Sequence, residues 1–401
     1  MFSGGINVDR CCIYMYDEEL TTLMIPGPVP IHPRVYRAMS RVIYGHRTKE
    51  YQTTYKETVG LLQRLLQTEQ DVLVFAGSGT ATMEAAIANT IEPGEKVLNV
   101  VNGKFSERWQ EITTAFGGKS VLQEVAYGQA ASPEAVREAL ASDASIRAVT
   151  ICHNETSTGV LNPAKEIGQI VRDYDRLLIV DGITSVGGDY VYPDKWNFDI
   201  LVTGSQKCLG VPPGLGVIWV GSRAWKKIEN RKQPNPTFYL DLVKAKKRYD
   251  SFGDSPFTSA VTLMYGLHES LTIMFEEGYE QRIERHRRLG RITRAGYLGM
   301  GLDLLADSAF YSNTVTAVRY PGGINDNEFR NQVRKLGILI AGGQGPVKGK
   351  IWRTNHMNIC TERDVLATIA IIEVVLKRLG YDVPIGSGVL AAQEQMLKES
   401  F

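Results

Sequence analysis

What this 401-residue sequence lacks removes several classes of function at once. It holds only five cysteines. Two of these, Cys11 and Cys12, are adjacent and the others are scattered. That pattern gives neither a disulfide framework nor a zinc-site spacing, so no metal site is expected, and a reducing, cytoplasmic setting fits. Net charge is +1, without a basic stripe that would argue for nucleic acid or an acidic tail that would argue for disorder. No apolar run is long enough to span a bilayer. The opening stretch MFSGGINVDRCC has no basic region followed by an apolar one, so it does not read as a secretory signal. Internal repeats and low-complexity segments are missing too. What is present is ordinary globular material, 43% hydrophobic and 22% charged, long enough for one large domain and a smaller one.

Residues 1–22 read as an irregular N-terminal arm, and the proline-dense, extended stretch MIPGPVPIHP follows. PRVYRAMSRV and YQTTYKETVGLLQRLLQ have helical spacing. Short apolar strands then alternate with helical stretches: DVLVF, KVLNVV, SVLQEVAY, IRAVTICH, RLLIVDG, FDILVTG and GVIWVG. This alternation predicts an α/β fold with a mostly parallel sheet between helices. The strands are apolar throughout, as buried parallel strands should be. Only a short turn separates FDILVTG from LGVIWVG, so that pair is predicted antiparallel. From about Glu269 to Leu298 a long charged helix is expected, broken or bent near Gly278. The remainder reads as a smaller α+β unit. The expected division is a large domain over residues 23–277 and a small C-terminal domain over 278–401.

Ligands in such sheets bind beyond the carboxyl ends of the strands. After DVLVF, Gly77, Ser78, Gly79 and Thr80 open a helix whose free N–H groups and dipole attract an anion. No Gly-Lys-Ser/Thr follows, so this is not a nucleotide P-loop. After KVLNVV, Phe105 stands in a glycine-containing loop where an aromatic could cover a flat ring. After IRAVTICH come Glu155, Thr156, Ser157 and Thr158. Asp181 ends RLLIV, and a carboxylate there is costly unless paired, for which a cationic ring nitrogen is a suitable partner. Lys207 follows FDILVTG within GSQKCLGVPPG, where burial would depress its pKa and make the amine nucleophilic. Taken singly, each of these also reads as an ordinary cap, turn or packing residue. Taken in order, they fit one ligand, pyridoxal 5′-phosphate, whose protein partners are a lysine amine and an acid for the ring nitrogen.

The chain resembles the class V pyridoxal-phosphate aminotransferases, in particular the alanine–glyoxylate and serine–pyruvate group. The resemblance is carried by PGPVPIHPRV, GSGTATMEAAIAN, VNGKFSERW, HNETSTGVLNP, LLIVDGITSVGG, TGSQKCLGVPPGLG, SPFTSAVTLMYGLHESL and KIWRTNHM. It implies the pyridoxal-phosphate transferase fold of type I. It further implies a Schiff base on Lys207, phosphate contacts from Ser78, Gly79, Thr80 and Gln206, and ring stacking by Phe105. Thr156 would bond near the phenolic oxygen, and Asp181 would pair with the ring nitrogen. Ser255 and Thr258 would serve the neighbouring subunit's phosphate site, which implies a homodimer. Gly27 and Arg353 would bind substrate, Arg353 clamping a carboxylate through two parallel hydrogen bonds.

The implied reaction is ping-pong transfer of an amino group from alanine or serine to glyoxylate or pyruvate. Ureidoglycine–glyoxylate, pyridoxamine–pyruvate, aspartate and phosphoserine pairs are the alternatives on related scaffolds. Three departures from the family pattern stand out: phenylalanine at position 105, serine at 255, and RTNHMN around Arg353, where Thr354 and Asn355 are expected to reshape the substrate pocket. His46 and Arg47 are open between an active-site role and a surface or dimer contact. A cysteine desulfurase would need a reactive cysteine on a mobile loop, whereas Cys152 and Cys208 read as small packing residues. A cofactor-holding protein without turnover is the reading from a different class.

Overall fold

The computed structural model describes residues 21–399, so the expected arm over 1–22 and the Cys11–Cys12 pair lie almost wholly outside the described residues. Seven strands form the main sheet: β1 (Asp71–Ala76), β2 (Lys96–Val101), β3 (Lys119–Glu124), β4 (Ile146–Cys152), β5 (Leu177–Asp181), β6 (Ile200–Gly204) and β7 (Leu215–Val220). Their order across the sheet is β1-β7-β6-β5-β4-β2-β3. Every residue of β5, β6 and β7 is buried, which is why these strands read as unbroken apolar runs. β3 and β1 are the edges, and the burial of β3 is only partial, with Lys119, Gln123 and Glu124 among its residues.

β2, β3, β4, β5 and β6 pair in parallel, and β7 runs antiparallel to both β6 and β1, as the short connection after β6 requires. β7 is thus the single reversed strand of this sheet. The carboxyl ends of the other six face one edge, and helices follow β1 at Gly79–Thr90 and β2 at Lys104–Ala115. Both helices pack into one apolar core through Met83, Ile87, Trp109 and Ile112, while a second core joins the sheet to helices Lys49–Leu66, Ala164–Asp173 and Val261–Glu277.

Helices Val261–Glu277 and Tyr279–Gly299 meet at Gly278, whose φ of +91° breaks the expected long helix there. The first of them begins earlier than its charged pattern suggested. Its N-terminal half is apolar, and the helix packs along its length against helices Pro33–Met39 and Lys49–Leu66, so the amphipathic signal is weak. Beyond it, β8 (Val315–Arg319), β9 (Ala341–Gly342) and β10 (Ile351–Asn355) form an antiparallel sheet in the order β8-β10-β9. Helix Glu362–Arg378 starts from a capping box between Thr361 and Asp364. A third core, built around Tyr297, Phe329, Trp352 and Ile369, also takes in Met24, so the chain's N-terminal segment reaches back to the C-terminal unit.

Candidate active site

A cleft at the carboxyl edge of the main sheet is lined by Ser78, Gly79, Thr80, Phe105, Arg108, Thr156, Asp181, Ile183, Gln206 and Lys207. Eight of the residues singled out from the sequence are therefore brought together. Ser78 is the N-cap of its helix, yet its side chain makes no capping bond, which leaves the hydroxyl uncommitted. At Gly79 a Cβ would come within 2.6 Å of Ile183 Cδ1, so a side chain there would have to displace Ile183. Thr80 Oγ1 accepts from Arg108 Nη1 at 2.9 Å. The Gln206 amide carries a buried Oε1 without a hydrogen-bond partner. Free N–H groups at a helix start, a spare hydroxyl and a guanidinium together suit a phosphate, to which the Gln206 amide would have to turn its Nε2–H donors rather than its Oε1.

Asp181 ends β5 and is 4% exposed. Its carboxylate accepts from the Ile183 N–H at 2.7 Å and from Cys152 Sγ at 3.4 Å. Burial pushes it up to about 6 in spite of these bonds. It is a buried acid still short of a cationic partner. Lys207 moves the opposite way. Burial, with the Arg353 guanidinium nearby, brings its amine down to about 8. Lys207 Nζ donates to the Pro26 carbonyl at 2.5 Å. Gly27 is packed so close that a Cβ there would lie 2.3 Å from Nζ.

Phe105 opens the helix after β2, and Arg108, one turn on, holds its guanidinium 5.2 Å from the Phe105 ring centre. Glu155 fixes this helix start: its carboxylate accepts from the N–H groups of Ser106 and Ser157 and from the Ser157 hydroxyl. Gly103 makes room for it, since a Cβ there would sit 2.3 Å from Glu155 Cγ. Thr156 Oγ1 shares a 2.9 Å hydrogen bond with Thr184 Oγ1.

Arg353 lies on β10, 5% exposed. Its Nε and Nη2 donate to the Gly342 carbonyl at 3.0 and 2.8 Å, and its Nη1 to the Thr156 carbonyl at 3.2 Å. Burial brings the guanidinium down to about 10. A guanidinium has five N–H donors, so one on each terminal nitrogen is left over, and among the described residues no carboxylate forms an ion pair with it.

Gly27, Arg353, Thr354 and Asn355 are not among the residues that line the cleft; Gly27 meets it through the Lys207 amine and Arg353 through the Thr156 carbonyl. Successive residues of a strand face opposite ways. Thr354 Oγ1 accepts from Tyr297 in the third core, while Asn355 binds the Leu23 carbonyl through Nδ2 and the Met24 carbonyl through its N–H. Ser255 and Thr258 stand apart as well, in a second pocket with Tyr55, Phe257 and Tyr239. Arg47 shapes that loop, donating to Asp254 and to the Ser255 and Pro256 carbonyls. Cys152, Cys208 and Cys360 are free and buried, and none lines the cleft. Burial pushes the Cys208 thiol up to about 12. Among the described residues no cluster could hold a metal, and no helix is long and apolar enough to cross a membrane.

Sequence reasoning missed Arg108. Its spacing of three from Phe105 was the available signal, since residues i and i+3 share a helix face. It also missed the Pro26 carbonyl, because a backbone contact leaves no trace in residue type.

Fold and cleft together define a transaminase of the pyridoxal-phosphate kind. The family described as aminotransferase class-V matches residues 34–345, and the chain belongs to that family. It is 48% identical to an uncharacterized aminotransferase of Methanocaldococcus jannaschii, over 96% of this chain and 99% of the relative. It is 35% identical to serine–glyoxylate aminotransferase of Methylorubrum extorquens, over 93% of this chain and 95% of the relative. The crystal structure of ureidoglycine–glyoxylate aminotransferase from Bacillus subtilis superposes with a TM-score of 0.90 at 34% identity, covering 94% of this chain and 98% of that one.

Proposed function

We propose that this transaminase moves the amino group of a small amino acid, alanine or serine, to glyoxylate or pyruvate in two half-reactions. The observation that carries the reading is Arg353, a buried guanidinium with two spare donors whose charge is felt at the Lys207 amine. Donor and acceptor both present an α-carboxylate, which a planar guanidinium binds through parallel hydrogen bonds. A small side chain suits the tight approach of Gly27 to Lys207. The serine–glyoxylate and ureidoglycine–glyoxylate relatives are similar to this chain at nearly the same level, so overall identity does not choose between their substrates.

Pyridoxal phosphate, when bound, supplies an aldehyde and an electron-accepting ring. The chain's residues fit it. Ser78, Gly79, Thr80, Gln206 and Arg108 would hold the phosphate, and Phe105 and Thr156 would orient the ring. Asp181 would hold a proton on the ring nitrogen, which also answers the cost of its own buried charge. With the cofactor bound, Lys207 Nζ would take up the substrate Cα proton and release it to a different carbon, since its return to Cα would leave the amino group where it started; an amine near 8 carries a useful neutral fraction at neutral pH. Arg353 fixes the substrate so that this proton faces the amine.

The placement of Ser255 and Thr258 outside their own chain's cleft supports a homodimer in which they complete the partner's phosphate site. The free, buried thiols agree with a cytoplasmic setting.

Initial rates with alanine, serine, aspartate and cysteine, each against glyoxylate and pyruvate, test the reading. Alanine or serine should lead, with the parallel double-reciprocal lines of a ping-pong sequence. Aspartate leading would move the donor assignment, and sulfide release from cysteine would replace it with lyase chemistry.

A further inference from the structure

We infer that Arg282 and Asn358 form a positioning node for Lys207, steadying its turn from one side and the carbonyl that meets its amine from the other. The inference rests on the Lys207 reading above and adds to it two residues that touch neither the amine nor the cleft.

Both side chains are buried. Arg282 comes from the helix after Gly278. Its Nε donates to the Gly187 carbonyl at 3.0 Å, and its Nη2 to the Cys208 carbonyl at 3.0 Å and to Asn358 Oδ1 at 2.9 Å. Its charge is answered by Glu277, 3.0 Å from Nη1. Cys208 directly follows Lys207, so one arm of the node grips the backbone of the catalytic lysine. Gly210 closes the same turn through its N–H to the Lys207 carbonyl. It packs against Asn358 so closely that a Cβ there would lie 2.6 Å from Oδ1.

The other arm is Asn358 Nδ2, which donates to the Pro30 carbonyl at 2.6 Å. Pro30 ends the segment that begins at Pro26, whose carbonyl accepts from Lys207 Nζ. Between the two, the Val29 N–H donates to the Gln206 carbonyl. The segment thus lies along the lysine turn with Asn358 at its far end. Asn358 adopts φ +62°, which most side chains resist and asparagine tolerates. Its own N–H is taken by His286 Nε2 at 2.8 Å. It also lies three residues beyond β10, the strand that carries Arg353. The carboxylate clamp and the amine therefore share one support.

A small displacement at a reacting group costs far more rate than stability. That separates a positioning node from mere packing. Asn358→Gly removes both side-chain links and keeps the backbone conformation without strain. Arg282→Lys keeps the charge but, with three donors on one nitrogen, cannot reach the four acceptors that the guanidinium serves in different directions. The charged and titratable groups that act on the Lys207 amine, namely Arg353, Asp181, Arg108 and Cys208, are unchanged in both variants.

The experiment measures the Lys207 amine pKa in cofactor-free protein by carbon-13 NMR after reductive methylation, assigned with Lys207→Arg. Steady-state kinetics of the holoenzyme and thermal melts accompany it. In each variant that folds, the amine should rise by about one unit or more as the loosened turn admits water. The same variants should lose about tenfold or more in kcat, with the donor KM held within about threefold. A folded variant with lowered melting temperature but unchanged amine pKa and kcat would overturn the node, leaving only a packing role. If Asn358→Gly does not fold, Arg282→Lys decides alone. A wild-type amine at the ordinary lysine value, in a protein that takes up no pyridoxal phosphate, would instead sink the Lys207 reading and the node with it.

Discussion

Asp181→Asn should make the cofactor-free protein more stable while disabling it. The carboxyl of Asp181 is raised from an ordinary 3.8 to about 6, chiefly by burial. The folded state therefore keeps a proton that the unfolded chain has already released. The resulting stability is whole below about pH 4 and is lost as pH rises through about 6. A rise of this size corresponds to roughly 3 kcal/mol at pH 8. Asparagine buries no charge and retains an oxygen for the Ile183 N–H, so most of that amount should be recovered. Urea unfolding of both cofactor-free proteins reads the difference. We expect Asp181→Asn to gain about 1–3 kcal/mol at pH 8, falling to about a third of that at pH 4.5. The same variant should lose about 100-fold or more in kcat, because nothing then holds the ring-nitrogen proton. No gain at pH 8, or an equal gain at both pH values, would refute a charged, buried and unpaired Asp181.

Gly27→Ala puts a methyl where the Lys207 amine lies, at a backbone φ of +131°. It should lower kcat by about 10–100-fold while costing only about 1–3 kcal/mol in an unfolding titration, since the lysine tip can move aside. Arg353→Lys keeps the charge but loses the two-pronged geometry. The KM for the 2-oxo acid should rise by about 10–100-fold in steady-state assays. Arg108→Met removes the guanidinium that reaches Thr80 and Phe105, and equilibrium dialysis should show cofactor affinity weakened by about tenfold.

The parts of the protein legible in the sequence are those written in residue type and period. Apolar runs at β4, β5 and β6, each followed by polar or small residues, located both the sheet and the edge where the cleft opens. The ten residues between Gly204 and Leu215 were enough to reverse β7. Less was legible where helices are buried on several sides or are short and charged. Val261–Glu277 lost its first two turns in the reading for the first reason, and Ser222–Glu229 and Leu242–Phe252 went unnoticed for the second. In the site, Asp181 and Lys207 stood out because buried charge is rare. Arg108 did not, because surface-like arginines are common and its contact with Thr80 joins two helices that are separate in the sequence. Thr354 was misjudged because strand alternation around Arg353 turns it into the third core, where it meets Tyr297.

The central claim is that the Lys207 cleft holds pyridoxal phosphate and transfers amino groups. Its most direct test is the visible absorption of the purified protein and of Lys207→Ala, before and after adding alanine, serine, aspartate or cysteine singly. The wild type should be yellow and should bleach with alanine or serine as the matching 2-oxo acid appears, while Lys207→Ala should release no 2-oxo acid. A wild-type protein that stays colourless with added pyridoxal phosphate, or a Lys207→Ala variant that turns over fully, would contradict it.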